Sequence, residues 1–209
     1  MGGPLFLLFR DPIAGLISIA SLIIALTIHE FSHAKVADAL GDPTPRLEGR
    51  VSLNPKAHLD PLGTLLILLV GFGWGKPVRY DAYNLENPRV DGMKIALAGP
   101  ASNIALALAV SIIYKLMLAA FPTMNMYLNG AFVGLISLNI YLAIFNLLPV
   151  EPLDGFKVVA GLLPRDQAEK WQTLAPFGMF ILLFLIFIPP APGIRFVMGV
   201  SSLILNFLL

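Results

Sequence analysis

The sequence predicts an all-α polytopic membrane protein with about five transmembrane helices. Two observations carry that prediction and a third orients it. Hydrophobic residues make up 57% of the 209 positions and charged residues only 13%, about half of the ~25% usual in soluble domains. Such a chain has more apolar surface than one core of this size hides, so lipid is its natural solvent. Five apolar segments are long enough to cross, or nearly so, against the ~20 residues that a helix needs. The basic residues, finally, sit in loops that can all lie on one side of a bilayer.

In chain order the expected spans are residues 12–34, 92–121, 130–148, 173–188 and 194–209. The last two are short. Pro189-Pro190-Ala191-Pro192-Gly193 separates them, a break that predicts a C-terminal helical hairpin over 173–209. A sixth apolar run, 62–70, is too short to cross as a helix and leads into Gly71-Phe72-Gly73-Trp74-Gly75. It predicts either a β-hairpin or a re-entrant element, the latter stable only when buried in protein or lining a wet cavity.

Charge decides how the spans face. Lys35, Arg46, Arg50 and Lys56 follow the first span, Lys76, Arg79, Arg89 and Lys94 precede the second, and Lys157, Arg165 and Lys170 follow the third. The loop 122–129 has no basic residue. These clusters share one side only if 62–70 does not cross. The N-terminus is then expected outside and residues 29–33 on the cytoplasmic side of the plasma membrane.

The length predicts one membrane-embedded domain over 1–209, with a core at about 12–163 and no room for a substantial soluble module. The N-terminal stretch reads as retained, because no small-residue cleavage site precedes residue 29. There are no cysteines, which excludes disulfides and thiolate metal sites. A net charge of +1 gives no sign of a nucleic-acid partner.

The chemistry begins at His29-Glu30-Phe31-Ser32-His33, at the end of the charge-free stretch 12–28. Helical positions four apart share a face, so both imidazoles can grip one metal ion. Glu30 projects beside that ion, which suits a general base acting on water. Ionisable groups in a span are costly and usually functional. Catalytic zinc takes three protein ligands and leaves a position open, so a third ligand must come from elsewhere. His58 is one candidate. Asp154 is the better one: it follows the third span in Asn146-Leu147-Leu148-Pro149-Val150-Glu151-Pro152-Leu153-Asp154-Gly155, where prolines stop the helix and Gly155 permits close backbone approach. The alternative for Asp154 is an N-cap of the following segment.

Four pieces of sequence resemble the site-2 proteases, the intramembrane zinc metalloproteases, in their minimal form without accessory domains. They are His29 to His33; the loop from Gly41-Asp42-Pro43-Thr44-Pro45 through Gly49-Arg50-Val51-Ser52-Leu53-Asn54-Pro55 to His58-Leu59-Asp60-Pro61-Leu62-Gly63-Thr64; Ala98-Gly99-Pro100-Ala101-Ser102-Asn103; and Asn146 to Gly155. The resemblance implies a three-helix catalytic core. It also implies Zn2+ held by His29, His33 and Asp154, with Glu30 as general base. Asn146 is implied near the centre, positioning substrate or stabilising an oxyanion, and the substrates are expected to be transmembrane proteins. Gly99, Pro100 and Asn103 are expected to let the central span pack closely. Glu151 departs from the neutral residues usual in that stretch and is expected in water. The rival readings are a membrane zinc-binding or transport protein, and a pseudoprotease scaffold. A different membrane zincin would need a glutamate ligand on a later helix, and Glu169 is the only glutamate after Glu151.

Overall fold

The computed structural model of the chain describes residues 3–70, 73–188 and 191–209. Among them the regular structure is helical, with no strand. The helices are α1 (Pro4–Arg10), α2 (Pro12–Ala39), α3 (Thr44–Leu47), α4 (Pro61–Val70), α5 (Pro88–Ala120), α6 (Met126–Asn146), α7 (Asp154–Leu162), α8 (Arg165–Gln172), α9 (Gly178–Phe187) and α10 (Pro192–Leu208). Four stretches among the described residues are long and apolar enough to cross a membrane: α2, α5, α6 and the α8–α9 run, Arg165–Phe187. Five were expected. The difference is α10, which at 17 residues falls among the shorter apolar helices.

Local sequence starts each core helix. The Asp11 carboxylate accepts from the Ala14 N–H at 3.0 Å, ahead of Pro12. Asn87 accepts from Val90 at 3.3 Å, ahead of Pro88. Asn125 accepts from Tyr127 at 2.8 Å. Such caps contribute about 1 kcal/mol each. Helix α2 stops where Gly41 takes φ +104°, a conformation that favours glycine. Helices α2, α5 and α6 pack on one another and form the expected three-helix core. Its deepest layer includes Ala107, Val110, Ile136 and Ile140.

The run after the first span is a short helix, not a β-hairpin. The chain then returns along its own start. A Cβ on Gly63 would lie 2.1 Å from the Trp74 carbonyl oxygen, and one on Gly73 would lie 2.2 Å from that of Gly63. The Lys76 N–H reaches the His58 carbonyl at 2.8 Å. Residues 58 and 76 therefore sit at the same end of the molecule. Gly71 and Phe72, part of the expected glycine-rich element, lie outside the described residues.

In the C-terminal segment α9 and α10 pack on each other: Val197 clusters with Leu182 and Ile186, and Gly193 lies against Leu185. Gly178, at the start of α9, packs on the backbone of Glu151, at the α7 end of the bundle. Leu208, at the end of α10, accepts through its carbonyl from Ser111 Oγ, and the Phe207 carbonyl accepts from Lys115 at 2.9 Å. Both partners lie near the far end of α5. The buried stripe Val197, Ser201, Leu205 and Leu208 also lies along α6. Proline stops a helix but does not say where the next one packs. Pro189 and Pro190 of that break lie outside the described residues.

A candidate metal centre

His29, Glu30 and His33 are buried in the last third of α2. The four-residue spacing puts the two imidazoles edge to face, ring centroids 4.6 Å apart, with their Nε2 atoms 3.0 Å apart.

Asp154 arrives from the other side of the core. After α6 the chain tightens through Val150 N–H to Leu148 O and Leu153 N–H to Val150 O, each 2.8 Å, and α7 begins at Asp154. Gly155 makes this turn fit: a Cβ there would lie 2.3 Å from the Leu147 carbonyl oxygen. The cap position is Leu153, which makes no side-chain cap bond, so Asp154 is not the N-cap. Its Oδ2 lies 3.1 Å from His29 Nε2 and 3.3 Å from His33 Nε2. Among the described residues, His29, His33 and Asp154 form a group with one ligand atom from each within 4.8 Å of the others. His58 is not part of it.

The hydrogen bonds behind the histidines fix which nitrogen faces this group. His33 Nδ1 lies 2.7 Å from the Ile95 carbonyl, which can only accept. His29 Nδ1 lies 2.6 Å from Asn103 Oδ1, and the Asn103 amide is itself oriented by donating to the Ala25 carbonyl at 3.1 Å. Both Nδ1 atoms therefore carry the proton, and both Nε2 lone pairs face inward. Asp154 Oδ2 is buried without a donor. Three acceptor atoms thus converge with no proton between them, an arrangement that a divalent cation relieves. The donor set, two imidazoles and one carboxylate, suits zinc and leaves a coordination position open.

Gly99 on α5 lines the same spot. A Cβ there would lie 2.4 Å from His33 Nε2 and 2.6 Å from His29 Cε1. Helix packing was the expected reason for this glycine; clearance for two imidazoles is the tighter constraint.

Arg50 stands behind Glu30, fully buried, with a terminal nitrogen 3.8 Å from Glu30 Oε2. Its guanidinium also donates to the Ala57 and Lys76 carbonyls. Burial pushes it below its ordinary value, opposed by the Glu30 and Glu48 carboxylates. His58 donates Nε2–H to the Ser52 carbonyl at 2.6 Å. Burial pushes its imidazole below the usual range, with the Ser52 carbonyl opposing and Arg50 adding to the shift. Asn146 ends α6, its amide donating to the Leu142 carbonyl at 3.0 Å. Glu151 is half-buried. Glu169 is exposed and pairs with Arg165 at 3.3 Å.

Sequence reasoning singled out neither Arg50 nor Asn139, and it gave Asn103 only a packing role. Asn139 was findable as a polar residue in an apolar span. Arg50 was named as a loop cation and within the resembling stretch Gly49 to Pro55, but neither gave it a partner in Glu30.

A model of peptidase family M50 matches residues 115–186, a stretch that holds Asn146 and Asp154. A Bacillus subtilis protein named "Putative zinc metalloprotease YwhC" is 40% identical over 179 residues, spanning 82% of this chain and 80% of that protein. This chain belongs to peptidase family M50, the site-2 protease family. Rip2 of Mycobacterium tuberculosis, with the same description, is 32% identical over 183 residues, covering 85% of this chain and 68% of Rip2. MJ0611 of Methanocaldococcus jannaschii, again so described, is 40% identical over 99 residues, 47% of this chain and 49% of MJ0611. No solved structure matches. As an M50 member the chain is a zinc metalloprotease, and its cluster of His29, His33 and Asp154 is consistent with the metal site of one.

Proposed function

We propose that this M50 member is an intramembrane protease, hydrolysing peptide bonds in or near the transmembrane segments of membrane-protein substrates. The convergence of His29, His33 and Asp154 among long apolar helices carries the reading. A hydrolytic centre at that depth reaches substrate only in, or at the edge of, the bilayer. The whole chain acts as one membrane-embedded domain, and no nucleic acid takes part.

In this reading His29, His33 and Asp154 would hold the zinc, offering Nε2, Nε2 and a carboxylate oxygen. When bound, zinc would supply Lewis-acid chemistry to the scissile carbonyl and to the attacking water. Glu30 takes the proton from the attacking water and delivers it to the leaving amine as the C–N bond breaks. Arg50 holds the Glu30 carboxylate from behind. Asn146, at the end of α6, positions the substrate or stabilises the oxyanion, using the amide N–H not spent on Leu142. The substrate helix must unwind, because helical hydrogen bonds hide its peptide groups.

The topology follows from α4, which dips in and returns as a re-entrant element. Residues 58 and 76 then share one face, and the basic loops gather at the metal end. By the positive-inside rule that end is cytoplasmic.

Two measurements test this reading. The first is the zinc content of detergent-purified, monodisperse wild type beside Asp154→Ala. Near-stoichiometric zinc in the wild type, largely lost in the variant, supports the ligand set; a folded wild type without zinc overturns it. In the second, proteoliposomes holding a pool of single-span peptides are incubated with wild type or Glu30→Gln, and new termini are mapped by mass spectrometry. Cleavage within the spans by the wild type alone is expected. Equal cleavage by Glu30→Gln would remove the general-base role.

A further inference from the structure

Three side chains from three different spans form a directed hydrogen-bond chain ending at a metal ligand. Asn139 on α6 donates Nδ2–H to the Leu135 carbonyl at 2.8 Å, one turn back on its own helix. That carbonyl can only accept, so the other end of the amide, Oδ1, faces Asn103 on α5 and accepts its Nδ2–H at 2.7 Å. The second Asn103 amide proton goes to the Ala25 carbonyl on α2. Asn103 Oδ1 is thereby left for His29 Nδ1. Both asparagines have no solvent exposure, so water does not substitute for any bond in the chain.

We propose that Asn139, which makes no bond to the metal group, is a positioning residue: through Asn103 it fixes the tautomer of His29. This rests on the reading of His29 as a metal ligand. If Asn103 rotated by half a turn, its NH2 would face His29 Nδ1. The imidazole would then have to place its proton on Nε2, and the lone pair would be lost from the metal group. Two acceptors prevent that rotation, the Ala25 carbonyl and Asn139 Oδ1. Removing Asn139 takes away one of them. A role as interhelical glue alone would leave the His29 tautomer untouched.

The test uses full-length protein in detergent with 15N-labelled histidine, metal-free and above pH 8. The His29 signal is assigned from its disappearance in His29→Gln. In the wild type His29 is expected as the Nδ1–H form. In Asn139→Leu it should become a mixture of tautomers, while His33, held by Ile95, stays unchanged and reports that the fold is intact. Zinc Kd should rise about tenfold. Asn139→Asp keeps an oxygen facing Asn103 that accepts its Nδ2–H, and should restore both readouts. Should the leucine variant not fold, Asn139→Ser, too short to reach Asn103, carries the same expectation. An unaltered His29 tautomer in a folded Asn139 variant overturns the proposal even if zinc binding is intact. Absence of zinc binding in the wild type would instead overturn the ligand assignment, and the metal-free tautomer measurement still decides the role of Asn139.

Discussion

Gly99 and His33 are in closer contact than any side chain on Gly99 would allow, since a Cβ would lie 2.4 Å from the imidazole Nε2. Gly99→Ala must displace a ring whose position is already set by the Ile95 carbonyl. Overpacking of this kind costs about 1–3 kcal/mol, and here it falls on a proposed ligand atom. Zinc content is expected to drop in Gly99→Ala although the helix gains propensity. Full zinc occupancy by atomic emission would show that the histidines can move aside.

Arg50 is a buried cation facing Glu30, and it also ties the Ala57 and Lys76 carbonyls together. Arg50→Met should destabilise by about 3 kcal/mol, because Glu30 and two carbonyls lose their partner. Arg50→Lys keeps the charge without the planar fork and should recover only part of the loss. Thermal unfolding in detergent, read beside peptide cleavage, checks this. A variant as stable and active as the wild type would remove Arg50 from the design.

His58 predicts a pH slope. In the unfolded chain its imidazole titrates near pH ~6.5, and in the folded chain it titrates lower because burial penalises the charged form. Between those values the unfolded chain binds more protons, so stability rises with pH. The contribution is complete above pH ~6.5 and is lost as pH falls through the folded value. His58→Gln should therefore flatten the dependence of Tm on pH below 6.5, relative to wild type. Parallel Tm curves would exclude it.

The proposed re-entrant path makes a labelling prediction. Lys56 and Arg79 are exposed and flank α4 in sequence. The chain has no cysteine, so Lys56→Cys and Arg79→Cys can be labelled singly in sealed vesicles. Both should react from the cytoplasmic side. Reaction from opposite sides would make α4 a true span.

Metal removal should be reversible and should require the aspartate. Chelation is expected to lower Tm in the wild type, and added zinc to restore it by linkage, about 2.7 kcal/mol at a hundredfold excess over Kd. Asp154→Ala should show little of either response. An equal response in the variant would move the third ligand elsewhere.

The long core helices were legible because each is a local statement: an apolar stretch long enough to cross a bilayer. His29, Glu30 and His33 were legible for the same reason, since a helix converts spacing four into a shared face. Asp154 was legible at one remove, through a broken helix and a glycine. The sequence marks the break before α10, but not the surfaces on which Val197, Leu205 and Leu208 pack, which α9, α6 and α5 supply.

By itself the sequence determined the membrane class, the approximate extent of the long core helices, the histidine pair and the residues able to complete it. These depend on composition and on contacts within a few positions. Tertiary structure alone decided that Asn103 and Ile95 orient the imidazoles, that Gly99 is their clearance, that Arg50 faces Glu30 and that α10 ends beside Ser111. Each joins residues tens of positions apart. A single amide, carbonyl or guanidinium has no partner until the helices pack, and burial then makes an unmet bond too costly to leave.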